Sequence, residues 1–313
     1  KMSFALDVKN EVSTLSYTNM EALVLLSAFV RNDYLLEDEK LKLQVENPKI
    51  VRLLFSLFRS LFDVSPEILP VGKSTFHSRT IFQLTIDEKI SEILEKLMVF
   101  DEKGLYLYKL PSYFVDSEDL VRAYLTGAFL ATGSINDPKT SNYHLEFLLK
   151  NESEAVFILQ LLEQLYIFAK IIRRDKGYMV YVKESEKIGD FLRAMGCSRA
   201  VLYYEDIRIY RDHKNMTNRL NNCEQANVDK TILASEKQLN DISCLEANIS
   251  TDLLDEKLKE VVIYRKKYPD LSLEELARVI SYETGKPLTK SGLNHRFRKI
   301  KDMADRFRKE KDN

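Results

Sequence analysis

The chain has 313 residues, of which 45% are hydrophobic and only 9 are glycine and 7 proline, so its composition allows two domains and excludes a mainly disordered protein. The longest apolar run, residues 22–30, is too short to span a membrane. The sequence shows no cationic segment followed by an apolar core, the pattern of a secretory leader, so we do not expect secretion. The net charge of −1 by itself argues against a generic polyanion binder. Three cysteines without a Cys-x-x-Cys pair and four scattered histidines predict a reduced, cytoplasmic protein with neither a metal site nor a cofactor.

Three blocks of sequence recur in the same order at a spacing of about 100 residues. The matching pairs are residues 27–35 (SAFVRNDYL) with 127–135 (GAFLATGSI), 41–58 with 145–162, and 85–97 with 182–195. Alternating apolar residues predict strands at residues 42–46, 80–86, 144–150 and 178–183. Each half then reads helix, strand pair, helix, strand pair, helix, which makes residues 1–205 one α+β domain with halves at about 10–100 and 118–205. Chance similarity between amphipathic segments is the alternative explanation.

The helix at the start of the second half carries a stripe of small residues. Ala123, Gly127 and Ala131 are four residues apart and therefore share one helix face. A glycine inside a helix costs about 1 kcal/mol relative to alanine, so its presence predicts that another backbone comes very close. The matching helix of the first half has Ser27 and Ala28 in the corresponding place. We predict two helices packed across a pseudo-twofold axis; a small-residue helix packed on a sheet is the alternative.

Residues 206–250 are polar, rich in asparagine and free of glycine and proline, which predicts a helical bridge rather than a flexible linker. We expect two helices in this bridge. The sequence NIST, at residues 248–251, then marks a boundary before a compact final domain at residues 251–313.

The final domain carries the clearest functional signal, because residues 286–311 hold ten basic and three acidic residues and have a net charge of +7. Apolar spacing predicts helices at residues 252–267, 273–281 and from 290 to about 301. Ser272 and Glu275 predict a capping box for the second helix, and Thr289 predicts the N-cap of the third. Gly292 predicts a close helix crossing, and we expect the tail at residues 304–313 to fray.

The third helix has an apolar side and a polar side. Leu293, Phe297 and Ile300 cluster together and are predicted to face the domain core. In a helix-turn-helix the second helix enters the major groove of DNA, where arginine suits guanine and asparagine suits adenine. The candidate base readers are Ser291, Asn294, His295 and Arg298, and the candidate phosphate contacts are Lys290, Arg296, Lys299 and Lys301. A solvated basic helix in a three-helix protein-interaction domain is the alternative.

The sequence YLTGAFLATGS, at residues 124–134, resembles the core helix of LAGLIDADG homing endonucleases. With the INDP turn that follows, residues 218–231 (NRLNNCEQANVDKT) and residues 289–300 (TKSGLNHRFRKI), the chain resembles the WhiA family of bacterial DNA-binding regulators. The resemblance implies a pseudo-twofold LAGLIDADG-type duplicated αββαββα domain, an all-α bridge and a helix-turn-helix domain. It also implies a transcription regulator that acts in sporulation-like development or in cell division.

LAGLIDADG nucleases need an acidic residue near the end of each core helix to hold a divalent metal ion. Those positions are Asn32 and Thr132 here, and neither supplies a carboxylate; Asp33 is one residue past the first, and Asp137 precedes Pro138 in a predicted turn. We therefore expect no catalytic residue, no metal and no enzyme activity. The alternatives are a metal-dependent DNA nicking enzyme that uses Asp33 and a chromosome-recruited protein-interaction module.

The expected partner is double-stranded DNA, with the transcription machinery or another regulator as a further candidate and no membrane. We expect a nucleoid-associated monomer, because the two halves already form a pseudo-dimer within one chain. Basic residues near the strand ends of the first domain could contact phosphates or be solvated charges: Lys73, Arg79, Arg173, Arg174 and Lys176.

Overall fold

The structure, a computed structural model, describes residues 3–73, 80–140 and 142–311. Arg79, one of the predicted phosphate contacts, lies outside the described residues. The chain divides into two compact units, Lys1–Arg211 and Asp212–Asn313, which we call unit 1 and unit 2.

Unit 1 contains two similar runs of helices and strands after a short first helix. That helix is α1 (Phe4–Val12), and the first run consists of α2 (Asn19–Asn32), β1 (Leu35–Glu37), β2 (Lys40–Val45), α3 (Pro48–Phe62), β3 (Glu67–Lys73), β4 (Thr80–Ile86) and α4 (Ile90–Lys96). After a 3₁₀ turn at Ser112–Val115, the second consists of α5 (Glu118–Thr132), β5 (Gly133–Ile135), β6 (Leu145–Leu149), α6 (Glu152–Gln164), β7 (Lys170–Arg174), β8 (Gly177–Val182) and α7 (Ser185–Ala194).

The two runs have the same topology, which confirms the predicted αββαββα duplication. Each forms a four-stranded antiparallel sheet, with strand order β1-β2-β4-β3 in the first and β5-β6-β8-β7 in the second. The central strands alternate buried and exposed residues, as in Leu41, Leu43 and Val45 of β2, so one face of each sheet covers the core. The four strands predicted from alternating apolar residues correspond to β2, β4, β6 and β8. Each observed strand begins and ends within two residues of the predicted position.

Local signals explain where the main helices of unit 1 begin. Thr18 and Glu21 form a capping box at the start of α2, and the Ser117 hydroxyl accepts from the Leu120 N–H at the start of α5. At α3, Asn47 is the N-cap and Pro48 occupies the first turn, where its missing N–H costs nothing.

One helix, α8 (Ser198–Glu246), occupies the region in which the sequence predicts two, so that prediction is wrong. The reason is that none of its 49 residues is glycine or proline, and nothing interrupts the backbone hydrogen bonds. The first turn of α8 is capped by a distant side chain, because the Glu11 carboxylate accepts from the N–H groups of Arg199 and Ala200 at 2.8 and 3.0 Å.

The described residues of unit 2 form helices joined by short turns, without a strand. After the end of α8 come a 3₁₀ turn (Thr251–Leu253), α9 (Glu256–Lys267), α10 (Leu273–Thr284) and α11 (Lys290–Lys311). Their shared core contains Ile242, Leu245, Val261, Leu276, Ile280, Leu293 and Ile300. The expected fraying of the tail is wrong as far as residue 311: Ala304 is buried, and Arg308 forms an ion pair with Asp241 at 2.8 Å, so packing extends α11 beyond residue 301.

In the described part of the chain, no helix combines the length and the apolar character that a membrane span requires.

Candidate nucleic-acid interface

The helix pair α10 and α11 has both helix starts fixed by side chains. The Ser272 hydroxyl accepts from the Glu275 N–H at 3.3 Å, and the Glu275 carboxylate accepts from the Ser272 N–H at 2.9 Å, which confirms the predicted capping box. The Thr289 hydroxyl accepts from the Gly292 N–H at 3.1 Å, which confirms the N-cap of α11. These caps set where each helix begins.

The turn between the two helices is also held in place. Gly285 ends α10 with a φ of +69°, a left-handed conformation that few other residues adopt readily. The Ser281 hydroxyl donates to the Ala277 carbonyl at 2.7 Å and accepts from the Leu288 N–H at 2.8 Å. One side chain of α10 therefore fixes the last residue before the cap of α11.

A buried arginine that no sequence pattern had indicated fixes the loop between α9 and α10. The Arg265 side chain is 1% exposed, and its guanidinium donates to the Leu271 carbonyl at 2.7 Å and to those of Tyr268 and Pro269 at 3.3 Å. It also lies over the ring of Phe297, with 5.5 Å between the guanidinium carbon and the ring centroid. Burial lowers the pKa of Arg265, and the loop carbonyls compensate part of the cost of burying the charge.

The buried and exposed sides of α11 agree with the predicted wheel. Leu293, Phe297 and Ile300 are buried in the core of unit 2. Of the predicted base readers, Ser291, His295 and Arg298 are exposed, whereas Asn294 is half-buried at the edge of that face. Asp302, which is also exposed, lies one turn beyond Arg298 on the same face of α11.

The predicted phosphate contacts differ in their surroundings. Lys290, Lys299 and Lys301 are exposed. Arg296 instead forms an ion pair with Glu260 on α9 at 2.5 Å, with its side chain only 19% exposed, so its charge is already partly neutralised within the domain. Phosphate contact by all four stays a prediction, and we expect the smallest contribution from Arg296.

Gly292 does not lie at a helix crossing, and that prediction is wrong. Among the described residues, a Cβ atom added to Gly292 would meet only Leu288 and Thr289 within 4 Å, each at 3.3 Å, and both belong to the turn just before α11. Its role is local, since the N–H of Gly292 is the group that the cap residue satisfies.

The close approach predicted for the small-residue helix is present in unit 1, between α5 and α2. A Cβ added to Gly127 would lie 2.1 Å from the Leu25 carbonyl oxygen and 2.9 Å from the Cβ of Ala28. Ala123 is buried and Ala131 half-buried. Ser27 is also buried, but its hydroxyl donates to the Leu97 carbonyl of its own half at 2.5 Å. The helix backbones meet at Gly127 because no side chain separates them.

Asn32 and Thr132 occupy the two core-helix positions at which a nuclease has its acidic residues. The polar groups of both side chains form hydrogen bonds within unit 1. The Asn32 amide donates to the Ala28 carbonyl at 2.8 Å and to the Glu154 carboxylate at 3.2 Å. The Thr132 hydroxyl donates to the Ala128 carbonyl at 3.2 Å. Because the nuclease metal site depends on a pair of carboxylates, these two residues, which supply no negative charge, do not fit that divalent metal ion. No group of three or more metal-ligating side chains occurs within residues 3–73, 80–140 and 142–311.

Asp33, the acid that follows Asn32 in the sequence, interacts electrostatically with Lys9 and Lys150. Its carboxylate accepts from the Gln44 N–H at 3.3 Å, and burial raises its pKa. The Lys9 ammonium donates to the Leu130 carbonyl, near the end of α5, at 3.2 Å. Burial lowers the pKa of Lys9 to about 8, against the opposing influence of Glu46 and Asp33. The ends of the two core helices thus meet an internal lysine, which the sequence did not reveal because α1 lies outside the repeat.

Asp137, five residues beyond Thr132, has the predicted turn-forming role. Its carboxylate accepts from the Lys139 N–H at 2.9 Å and from the Tyr203 hydroxyl at 3.2 and 3.3 Å. It is therefore part of the structure of the loop after β5.

The basic residues proposed near the strand ends are exposed where the structure describes them. Lys73 ends β3, and Arg173 and Arg174 end β7 with Lys176 in the following turn. A cavity of about 550 Å³ is lined by Lys150, Arg173, Arg174, Asp175, Gly177 and Tyr178. DNA contact by this set stays a prediction.

Comparison with known protein families gives three consecutive matches along the chain. The WhiA N-terminal LAGLIDADG-like domain matches residues 21–100, the WhiA LAGLIDADG-like domain residues 121–214, and the WhiA C-terminal HTH domain residues 217–304. The last match begins inside α8, so the family's HTH domain includes most of the exposed middle of that helix.

Individual proteins are similar over nearly the whole chain. A Staphylococcus aureus (strain JH9) protein named "Probable cell division protein WhiA" is 38% identical over 311 residues, which is 98% of each chain. The crystal structure of full-length DUF199/WhiA from Thermatoga maritima is 24% identical and has a TM-score of 0.57 over 98% of this chain and 99% of that one. The N-terminal LAGLIDADG domain of DUF199/WhiA matches 63% of this chain and 91% of its own, with 23% identity and a TM-score of 0.51.

Proposed function

The chain belongs to the WhiA family, and on that premise we propose that it is a sequence-specific DNA-binding transcription regulator in which α11 reads double-stranded DNA. The observation that carries the proposal is the arrangement of α11. Its start is capped, its apolar side is fixed in the core, and its exposed side presents Ser291, His295 and Arg298 to solvent. An α-helix held in this way fits the major groove, and its N-terminal residues are the ones that reach base edges.

The charge around this face supports the same proposal. Lys290, Lys299 and Lys301 are exposed beside the base-reading candidates and would contact phosphates on either side of the groove. Such contacts fix the position of the helix on the duplex and make the affinity depend on salt.

Unit 1 has the fold of a nuclease family without its acid pair, and we propose that it does not cleave DNA. The proposal is supported by Asn32 and Thr132, whose polar groups are bonded within the unit. Unit 1 then acts as a rigid partner of the DNA-binding unit, because a shared fold does not carry the chemistry of the family with it.

The biological role that we propose is in cell division, because a relative similar over 98% of the chain carries that name. Sporulation-like development is the second role implied by the resemblance. A regulator of this kind would be a nucleoid-associated cytoplasmic monomer, with the transcription machinery or another regulator as its protein partner.

The proposal is tested by in vitro selection with the full-length chain and a library of random DNA duplexes. We expect one sequence motif to be enriched, and we call a duplex that carries it the selected duplex. Fluorescence anisotropy then compares the selected duplex with a scrambled one of the same composition. Equal affinity for both would contradict sequence-specific binding and would favour a protein-interaction role.

A further inference from the structure

The first helix, α1, lies outside the repeat and brings a lysine to the end of a core helix. Phe4, Val8 and Val12 are buried at a spacing of four residues, so they form one apolar face that fixes α1 in the core of unit 1. The helix packs against α3, α5 and β5. Because Lys9 directly follows Val8, the packing of α1 determines where the Lys9 ammonium lies.

The Lys9 ammonium lies at the C-terminal end of α5. It donates to the Leu130 carbonyl at 3.2 Å and lies 5.5 Å from the centroid of the Phe129 ring, and both of these residues are buried. Leu130 is among the last four residues of α5, whose carbonyls have no partner within a helix and carry the negative end of its dipole. A cation at this point therefore stabilises the end of the second core helix.

The acids that interact with Lys9 come from the other half of unit 1. Asp33 follows α2, and Glu46 follows β2. Burial lowers the pKa of Lys9, and the charges of Glu46 and Asp33 oppose this effect because they attract the ammonium. Lys9 thus interacts with a carbonyl oxygen of the second half and with two carboxylates of the first half.

This arrangement of oxygen atoms resembles the surroundings of a bound ion more than an ordinary helix cap. In a LAGLIDADG nuclease the divalent ion is held near the ends of both core helices, and it interacts with oxygen atoms from both halves. Asn32 and Thr132 do not fit such an ion, as shown above. The positive charge at this place in unit 1 is instead supplied by a side chain of α1.

We propose that the ends of the core helices still form a cation site, and that the Lys9 ammonium takes the place of a divalent ion in it. This inference rests on the part of the proposed function which states that unit 1 does not cleave DNA, and it names the group that replaces the ion. The oxygen atoms of the site belong to Leu130, Asp33 and Glu46. Carboxylate and carbonyl oxygens are ligands that hard divalent cations prefer, so removal of the ammonium is expected to let Mg²⁺ bind there.

The experiment measures the melting temperature of the full-length chain by circular dichroism while MgCl₂ is added and NaCl is adjusted to keep the ionic strength constant. Lys9→Ala removes the ammonium and leaves room for an ion, whereas Lys9→Met removes the charge and keeps most of the side-chain volume. Lys150→Ala is the matched control, because Lys150 also interacts electrostatically with Asp33 but is exposed and does not belong to α1.

We expect Mg²⁺ at about ten times its dissociation constant to raise the melting temperature of Lys9→Ala by about 3 °C, or to fold this variant if it is unfolded without metal. The wild type, Lys9→Met and Lys150→Ala are expected to shift by less than about 1 °C, because none of them binds the ion. Adding Asp33→Asn to Lys9→Ala removes one of the two carboxylates and is expected to abolish the shift.

Absence of any effect of Mg²⁺ on Lys9→Ala, whether the variant is folded or unfolded, overturns the inference and makes Lys9 only a cap of α5. The proposed function is then unaffected. An equal shift in Lys150→Ala also overturns the inference, because any loss of positive charge near Asp33 would then be sufficient. Stabilisation of the wild type by Mg²⁺ overturns the inference, and together with nicking of plasmid DNA it also overturns the proposal that unit 1 does not cleave DNA.

Discussion

Arg31 on α2 and Glu154 on α6 form a buried ion pair that joins the two halves of unit 1, with 3.2 Å between the guanidinium Nε and the carboxylate Oε2. The same carboxylate accepts from the Tyr124 hydroxyl at 2.6 Å and from the Asn32 amide. The remaining nitrogens of Arg31 donate to the carbonyls of Met98 and Leu107. Asn32, at a position where a nuclease has its acid, is therefore part of a network that holds the halves together.

This network predicts a large difference between single and double variants. Glu154→Leu leaves the Arg31 guanidinium buried without its carboxylate, and we expect the free energy of unfolding to fall by about 3–5 kcal/mol. Arg31→Met combined with Glu154→Leu removes both charges and is expected to recover most of that loss. Chemical denaturation measures both values. A double variant as unstable as Glu154→Leu alone would show that the shape of the site matters more than its charges.

The close approach at Gly127 predicts that even the smallest side chain is not tolerated there. Gly127→Ala places a Cβ 2.1 Å from the Leu25 carbonyl oxygen, and we expect unfolding to become easier by about 3 kcal/mol. Gly72→Ala is the control, because no atom of the residues that the structure describes lies within 4 Å of the added Cβ, and its effect should stay below about 0.5 kcal/mol. Equal melting temperatures for the two variants would contradict the close helix packing.

The internal lysine predicts a pH dependence of stability. Because burial lowers the pKa of Lys9 to about 8 from 10.5, the unfolded chain binds more protons than the folded chain between these two values. The free energy of unfolding therefore contains a contribution that rises with pH in this window, by up to about 3 kcal/mol. Subtracting the values for Lys9→Met from those for the wild type isolates this contribution.

The subtraction is needed because other groups titrate in the same range. Burial raises the pKa of the Cys197 thiol to about 12, which makes stability fall with pH above about 9 in both proteins. A difference between wild type and Lys9→Met that stays constant from pH 8 to 10.5 would contradict the assignment to Lys9.

The absence of an acid pair at the ends of α2 and α5 predicts no DNA cleavage. Supercoiled plasmid incubated with the purified chain and Mg²⁺ or Mn²⁺ should remain supercoiled, and Asp33→Ala should behave in the same way. Agarose gel electrophoresis detects the nicked form. Nicking by the wild type that is lost in Asp33→Ala would make the nicking enzyme the correct alternative.

The sequence predicted those features that local residue patterns encode. The duplication, the central strands and the caps of α10 and α11 follow from periodicity and capping chemistry, and each is present in the structure. The outer strands β1 and β3 are exposed along their whole length, so they lack the alternation that reveals a half-buried strand. The division of the bridge into two helices was wrong because no signal for a break exists in α8.

The contacts that the sequence did not predict connect distant parts of the chain. Arg31 and Glu154 are 123 residues apart, and Lys9 and Leu130 are 121 residues apart. Neither pair forms a local motif, and each depends on how the two halves pack. Arg265 is a similar case, because an arginine is normally expected at the surface, whereas this one is 1% exposed.

Base reading by α11 is tested most directly at Arg298, because its side chain is exposed on the polar face of α11. The measurement is the affinity of wild type and Arg298→Ala for the selected and scrambled duplexes at the same salt concentration. We predict that Arg298→Ala loses about 1–3 kcal/mol of discrimination between them. An Arg298→Ala variant that keeps the wild-type preference for the selected duplex would contradict base reading by this face of α11.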